Sequence, residues 1–471
     1  MGKKSVHKSY HADPSLVGLS YDPSIRKKGR LNYYDTDIRK LIKEALIQGG
    51  LGTLDINRPL ADIIEPGMKV LLKPNWVLHY NQSGKTLDCS ITHHKFIIAV
   101  LKEVIACRPE VVLIADAPIQ RAVFPEIISY DIQNEMKSYG NINTRVEIKD
   151  LRGTIAINKR GILYSERNPY QKEKPICFNL GKDSLLEDIT SSKGRFRNTS
   201  YDPDVMNKAH IKGKHLYRLC TEPFEFDVFL NLPKLKCHGK TGISVALKNI
   251  VGINADKDVL PHHRVGGSSW GGDCYNGLKP LKRLSEWFLD QANSRIGYPS
   301  YSFFIKLVGA SIMCHKLCRD GDLEGKWYGN DTVWRMVLDL NRLLLYGTKE
   351  GEIKETKQRT IYSITDGILS GEHNGPLAPE PLPLGIVTFG SCSSVLDVVH
   401  AGLFHFDWEK IPLIRESFRK NDRYPLVFNQ PEEITVQTFG KRMSFNPTSK
   451  LFGVSAHPPD GWRNYIENEF W

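Results

Sequence analysis

"MKVLLKPNWV", residues 68–77, decides the reading of the fold: a short apolar run that stops abruptly at Lys73, Pro74 and Asn75. Downstream, "ITHHKFIIAVLKEVIACRP" (91–109) has apolar residues at helical spacing and ends at a proline, and "EVVLIADAP" (110–118) is a second apolar run closed by Asp116 and Pro118. Strand, helix, strand, with charge confined to the strand ends, marks a βαβ unit of a parallel sheet buried on both faces. Working outward, "FDVFLNLPKLK" (226–236), "RTIYSITDGI" (359–368) and "LGIVTFGS" (384–391) read as further strands. Helical patterns lie near 279–293, 302–318 and 330–346, in "SVLDVVHAGLFHF" (394–406) and in "DTDIRKLIKEALIQGG" (35–50). The expectation is an α/β fold: a mostly parallel sheet with helices on both faces, an inserted polar region and a mixed α/β C-terminal part. The segments are a basic arm over 1–30, a first α/β unit over 31–150, a polar insertion over 151–225, a second α/β unit over 226–420 and a mixed, β-rich tail over 421–471.

The chain has 471 residues, 41% hydrophobic and 10% aromatic, enough for a large core and incompatible with wholesale disorder. A net charge of +11 favours an anionic partner: a carboxylated or phosphorylated small molecule, an anionic polymer or nucleic acid. Nine scattered cysteines without a CxxC argue against a disulfide framework, a zinc ribbon or an iron–sulfur cluster. Cys314 and Cys318, four apart in a helix, read as a buried pair. The N-terminal residues lack a signal-peptide core and no apolar run is long enough to span a bilayer, so a cytoplasmic location is expected.

Polar residues gather where the strands end: Lys73 and Asn75, Asp116, Lys234, Lys236 and His238, Asp366, and Ser391 to Ser394. Ligands of open α/β sheets bind beyond the carboxyl ends of the strands, so these side chains are expected to converge. Thr92 reads as the N-cap of the first helix, with His93 and His94 either surface residues or part of the site. The stretch 363–379 reads as a turn. Asp397, in an otherwise apolar helix, must pair with a lysine or a backbone amide. Asn330 or Asp331 caps a helix whose Asp331, Arg335 and Asp339 are spaced for ion pairs.

"LPKLKCHGKTGISVALKNIVG" (232–252) holds four lysines, one histidine, three glycines and a proline. A helix starting near Thr241 would put Thr241 and Lys248 on one face, beside Lys234 and Lys236. There, partial desolvation would lower the lysine pKa and make Lys248 a base or nucleophile; a surface lysine near a helix C-terminus is the other reading.

Together, "VLLKPN", the Thr-His opening of the next helix, "LIADAP", the 232–252 stretch, "DGI" with "GPL", and "SSVLDVV" resemble the domain-of-unknown-function 362 family over roughly 65–120 and 225–410. That resemblance implies, by context, a place in cell-surface polysaccharide biosynthesis, while the strand-end Lys, Asn, Thr, His and Asp themselves suit an anionic ligand and proton transfer. The iron–sulfur segment of some members is missing. More distantly, His238, Gly242, Lys248, Gly252 and His263 follow the order of a motif in the nickel-pincer lactate racemases. That resemblance implies His238 as acid/base, Lys248 as anchor of a lysine-linked nickel cofactor and His263 as ligand of nickel or another divalent metal. The reading is an enzyme with catalytic His238, Lys248, His93 and Asp116, and with Lys73, Asn75, Thr92, Lys234, Lys236, Thr241, Asn249 and Asp366 binding the substrate. Proton transfer of the racemase or epimerase kind is the first expectation, and a non-catalytic binder of nucleic acid or anionic polymer the alternative.

Overall fold

The computed structural model describes residues 12–27, 33, 36–317, 323–427 and 429–468. Its centre is one sheet of eleven strands. In chain order these are β1 (Leu16–Tyr21), β2 (Lys69–Pro74), β3 (Val111–Asp116), β4 (Arg145–Asp150), β5 (Val228–Leu232), β6 (Lys234–His238) and β7 (Gly242–Ser244). They continue as β8 (Ile361–Asn374), β9 (Ala378–Gly390), β10 (Thr435–Thr438) and β11 (Lys441–Ser444). The spatial order is β11-β10-β1-β9-β8-β5-β2-β3-β4, with β6 paired to β7 and β8. From β8 through β5, β2 and β3 to β4 every neighbour is parallel. Beyond β8 the sheet turns antiparallel at β9 and again between β9 and β1.

The helices that matter below are α1 (Ile38–Gln48), α2 (His94–Ile105), α3 (Ala246–Asn249), α4 (Pro280–Asn293), α5 (Ser300–Leu317), α6 (Val333–Tyr346) and α7 (Ser393–Leu403). The two-residue period of a strand divides them between two cores. Val70 and Leu72 of β2, with Val112 and Ile114 of β3, pack beside Ile42 and Leu46 of α1 and Phe96 and Val100 of α2. Leu71 and Leu113, one residue out of phase, belong to the opposite core with Val337, Leu340 and Leu344 of α6 and Val395 and Val399 of α7. Each such side chain taken fully out of water contributes about 1.5–3 kcal/mol, so both faces of the sheet must be covered.

Several local expectations change. Leu16–Tyr21, placed in the basic arm, is a strand inside the sheet, while residues 1–11 and 28–30 of that arm lie outside the described residues. The insertion carries its own hairpin, Thr154–Lys159 with Ile162–Arg167, and a three-stranded sheet that includes Lys214–Leu219. Residues 363–379 are chiefly the arms of the long β8–β9 hairpin, because cross-strand pairing over eleven registered positions overrides the local turn preference of Asp-Gly. Because β9 runs antiparallel, Gly390 pairs with Ser363, and Ser391 to Ser394 leave at the opposite edge from the other strand ends. No helix starts at Thr241; β7 intervenes and only α3 and a 3₁₀ turn follow. Cys314 is exposed, and Cys318 lies outside the described residues.

Candidate functional site

Pro233 interrupts what would be a single strand, and the chain resumes as β6, which stays beside β8 as β5 does but no longer pairs with β2. Lys234, Lys236 and His238 are therefore strand residues, all buried. The parallel ends of β2 and β3 lie next to them and carry a buried ion pair, Lys73 Nζ to Asp116 Oδ1 at 2.8 Å. Burial lowers the Lys73 pKa and raises that of Asp116, and each partner opposes the other's shift. Asp116 also accepts the amides of Trp76 (2.7 Å) and Ala117 (2.9 Å). Asn249 Oδ1 accepts from Lys73 Nζ (3.3 Å) and from Asn75 Nδ2 (2.8 Å), while Asn75 Oδ1 accepts from Lys236 Nζ (2.6 Å). Gly252 closes over this group: a Cβ there would lie 2.0 Å from Asp116 Oδ1 and 2.5 Å from Lys73 Nζ, so only hydrogen fits.

A second cluster lies behind the first. Lys234 Nζ donates to Asp366 Oδ2 (2.9 Å) and to the Tyr33 hydroxyl (2.7 Å). Tyr33 stacks on His93 with centroids 3.8 Å apart, and the His93 amide donates to Asp366. The helix is capped by His93, whose Nδ1 accepts the Lys95 amide, and not by Thr92. Thr92 instead accepts from the Asn75 amide and donates to the Leu232 carbonyl, tying α2 to two strand ends. The Thr241 hydroxyl is spent locally on the Ile243 carbonyl. Lys73, Lys234, Lys236, Thr92, His93, Thr241 and Asp366 thus form walls and supports.

In front of these walls opens a cavity of about 840 Å³. Of the expected residues, Asn75, Asp116, His238, Lys248 and Asn249 line it. Lys248 sits on α3, whose leading amides, those of Ala246 and Leu247, donate to the Asp397 carboxylate of α7 at 2.9 and 3.1 Å; the pairing expected for Asp397 is thus with backbone amides. Burial, with Lys240, Lys257 and Lys73 nearby, lowers the Lys248 pKa to about 7. Among the described residues no carboxylate lies within ion-pair distance of Lys248. Lys257, lowered by burial to about 8, donates to the carbonyls of Val251 and Asn254 at the same wall. Lys236, just behind, is lowered to about 7 by burial and Lys234.

Of the three histidines that line the cavity, His79, His238 and His262, the last two are in opposite tautomers. His238 Nδ1 accepts the Lys240 amide (3.0 Å), which leaves its proton on Nε2. His262 Nδ1 lies 2.8 Å from the Leu260 carbonyl, which requires a proton on Nδ1 and leaves a lone pair on Nε2. Burial and the lysines hold both pKa values well below the ordinary 6.5, so both rings are neutral at pH 7. One offers a donor, the other an acceptor. At the rim, burial would raise Glu324, yet Lys326 at 2.7 Å and Lys240 keep it below its usual value, whereas Asp258 is pushed up to about 6 by burial beside Asp256.

His263 does not line the cavity. It groups with Cys274 and Glu286, all buried, with one ligand atom from each lying within 4.8 Å of the others. His263 Nδ1 is buried without a hydrogen-bond partner. Nitrogen, sulfur and carboxylate oxygen form a ligand set suited to a zinc-like ion. The sequence reading missed His262, Lys240 and Lys257. The neighbouring histidines of "PHHRV" were the signal: alternation in the extended chain sends successive side chains to opposite sides, His262 to the cavity and His263 to the group with Cys274 and Glu286.

No curated protein matches the chain. The family described as "Domain of unknown function (DUF362)" matches residues 171–402. The matched span begins inside the polar insertion, includes the whole 232–252 stretch and leaves out the 65–120 unit. Over residues 171–402 the chain is similar to the DUF362 family.

Proposed function

We propose that this protein is an enzyme that binds an anionic small molecule in the cavity and moves a proton on it. The observation that carries the reading is Lys248: a buried amine near pKa 7, without a carboxylate partner among the described residues, in a cavity where His238 offers an imidazole donor and His262 an imidazole acceptor. The protonated amines of Lys240, Lys248 and Lys257 supply attraction for a carboxylate or phosphate in a poorly solvated space. His238 Nε2–H would donate to a substrate oxygen, and the lone pair of His262 Nε2 or neutral Lys248 would take a proton from carbon. That is the arrangement a racemase or epimerase needs, with the proton returned from the other group. Should a lysine-linked nickel cofactor be bound, Lys248 would anchor it and His262, not His263, would be the histidine beside it. A sugar acid of cell-surface polysaccharide biosynthesis fits the same chemistry.

The test is a panel of carboxylated and phosphorylated metabolites screened by thermal shift, with every stabilising compound then incubated in D₂O and followed by proton NMR. Loss of a C–H signal with wild-type protein but not with Lys248→Met supports the reading. Stabilisation without exchange by any ligand reduces the site to a binding pocket, and intact mass spectrometry of the purified protein would report any adduct on Lys248.

A further inference from the structure

Helices α4 and α5 form one wall of the cavity: Leu289 and Asn293 of α4 and Tyr301 and Ile305 of α5 face inward. Their outer surface is unusually apolar. Leu281, Leu284 and Trp287, spaced three apart along α4, are 47%, 46% and 45% exposed, and Phe303 and Met313 of α5 are 60% and 66% exposed. The stretch "SYSFFIKLVGASIMC" (300–314) has a single charge, Lys306, and α5 packs chiefly on α4. Trp287 meets Phe304, which in turn meets Phe303, so the two helices adjoin through aromatic rings, and a water-facing protein rarely exposes so many large apolar side chains on one helix pair.

The charges around this face have one sign. Residues 278–314 contain Lys279, Arg283, Arg295 and Lys306 outside the core, with Lys282 buried, against two acids, Glu286 and Asp290. Glu286 is buried, and Asp290 is paired with Arg197 at 2.7 Å. Aromatic and aliphatic residues rimmed by lysine and arginine are what a helix pair needs to lie in the interface of an anionic bilayer. A second copy is the poorer occupant, because a two-fold pairing would set each basic rim against itself. Inside, the cavity is larger than a carboxylate or phosphate requires. Beyond the lysines it is lined by Trp76, Val77, Ile119, Leu163, Leu289 and Ile305, which suit a hydrocarbon chain.

We propose that the α4–α5 face seats on an anionic membrane surface and that the cavity takes a lipid-like amphiphile from it, headgroup on the lysines and apolar chain along these helices. This rests on the anion reading of the cavity and narrows it. The test has two arms on the full chain. In the first, cosedimentation is measured with vesicles of phosphatidylcholine alone and with vesicles containing about 30% phosphatidylglycerol. Wild type is expected to partition at least about tenfold better onto the anionic vesicles, and Leu284→Glu with Phe303→Glu to abolish binding; the paired serine variant separates lost apolar area from added charge. In the second, thermal stabilisation by decyl phosphate below its micelle concentration is compared with that by inorganic phosphate. Decyl phosphate is expected to act at least about tenfold lower in concentration, and Lys248→Met to remove the effect of both. Equal action of the two phosphates with no vesicle binding overturns the lipid assignment and leaves the anion cavity standing. Failure of both phosphates to stabilise overturns the cavity reading itself. A dimer dispersed by the patch variants, without vesicle binding, assigns the face to a second copy and also overturns the proposal.

Discussion

Lys73 and Lys234 differ from Lys248 in one respect that decides their roles. All three are buried amines in the same part of the molecule, but the first two each touch a carboxylate, Asp116 at 2.8 Å and Asp366 at 2.9 Å, and Lys248 touches none among the described residues. A buried cation with a partner is a structural brace. A buried cation without one costs free energy that an incoming anion can recover. A lysine beyond a strand is therefore informative only once its partner is known.

The sharpest break of this comparison is thermodynamic. Removing the partner, as in Asp116→Ala, strands Lys73 in the interior and is expected to cost about 3–5 kcal/mol in urea unfolding. Lys248→Met should do the reverse at neutral pH. A lysine whose folded pKa, about 7, lies below its unfolded value of about 10.4 weakens the fold as pH falls through that window. The variant should be more stable than wild type by about 1 kcal/mol or more at pH 7, with the gain fading towards pH 10; a loss of stability would show that Lys248 is a brace after all. Next in size is ligand affinity. Lys248→Met should weaken anion binding by about 10–100-fold, the worth of one charge-assisted hydrogen bond, measured by calorimetry on the best ligand of the thermal-shift panel.

Proton linkage sharpens the same contrast more gently. At pH 8 free Lys248 is mostly neutral, so an anion that prefers the ammonium form must bring a proton with it. Calorimetry in buffers of different ionisation enthalpy should report uptake of about half a proton to one proton, and affinity should fall as pH rises above 7. The smallest effect concerns the group outside the cavity. Elemental analysis should find a zinc-class metal that Cys274→Ser depletes while anion binding is retained; metal-free protein that keeps its fold would remove His263, Cys274 and Glu286 from consideration.

Much of the sheet was legible because burial leaves a signature. β2 and β3 hold apolar runs that stop only at their charged ends, β5 is broken only by Asn231, and α2 and α6 carry helical periodicity between recognisable stops. What was hidden depended on pairing partners far away in sequence. Pro233 was visible, but not that the chain beyond it would stay on β8 while parting from β2. The Asp-Gly of 366–367 resembled a turn until a long antiparallel neighbour held it extended. For the site, Asn75, Asp116, His238, Lys248 and Asn249 were found because they lie where strands and the short helix end. His262 was not legible as a cavity residue because one residue of phase in an extended segment cannot be read from composition, whereas His263 entered through the motif spacing and lies with Cys274 and Glu286. The roles of Lys73 and Lys234 were hidden for the same reason as β6: Asp116 and Asp366 are distant in the chain.

The Asp397 carboxylate gives the lysine motif a dependency that no local pattern reveals. It holds the Ala246 and Leu247 amides from a helix 151 residues downstream of Ala246, and so sets where Lys248 points. The motif is thus not a portable cassette: grafting 232–252 onto another sheet, or ending the chain near residue 390, would preserve every charged residue and release the turn that aims Lys248. Variation at position 397 should accordingly shift Lys248 reactivity without touching the cavity, which makes α7 the place to tune this amine remotely.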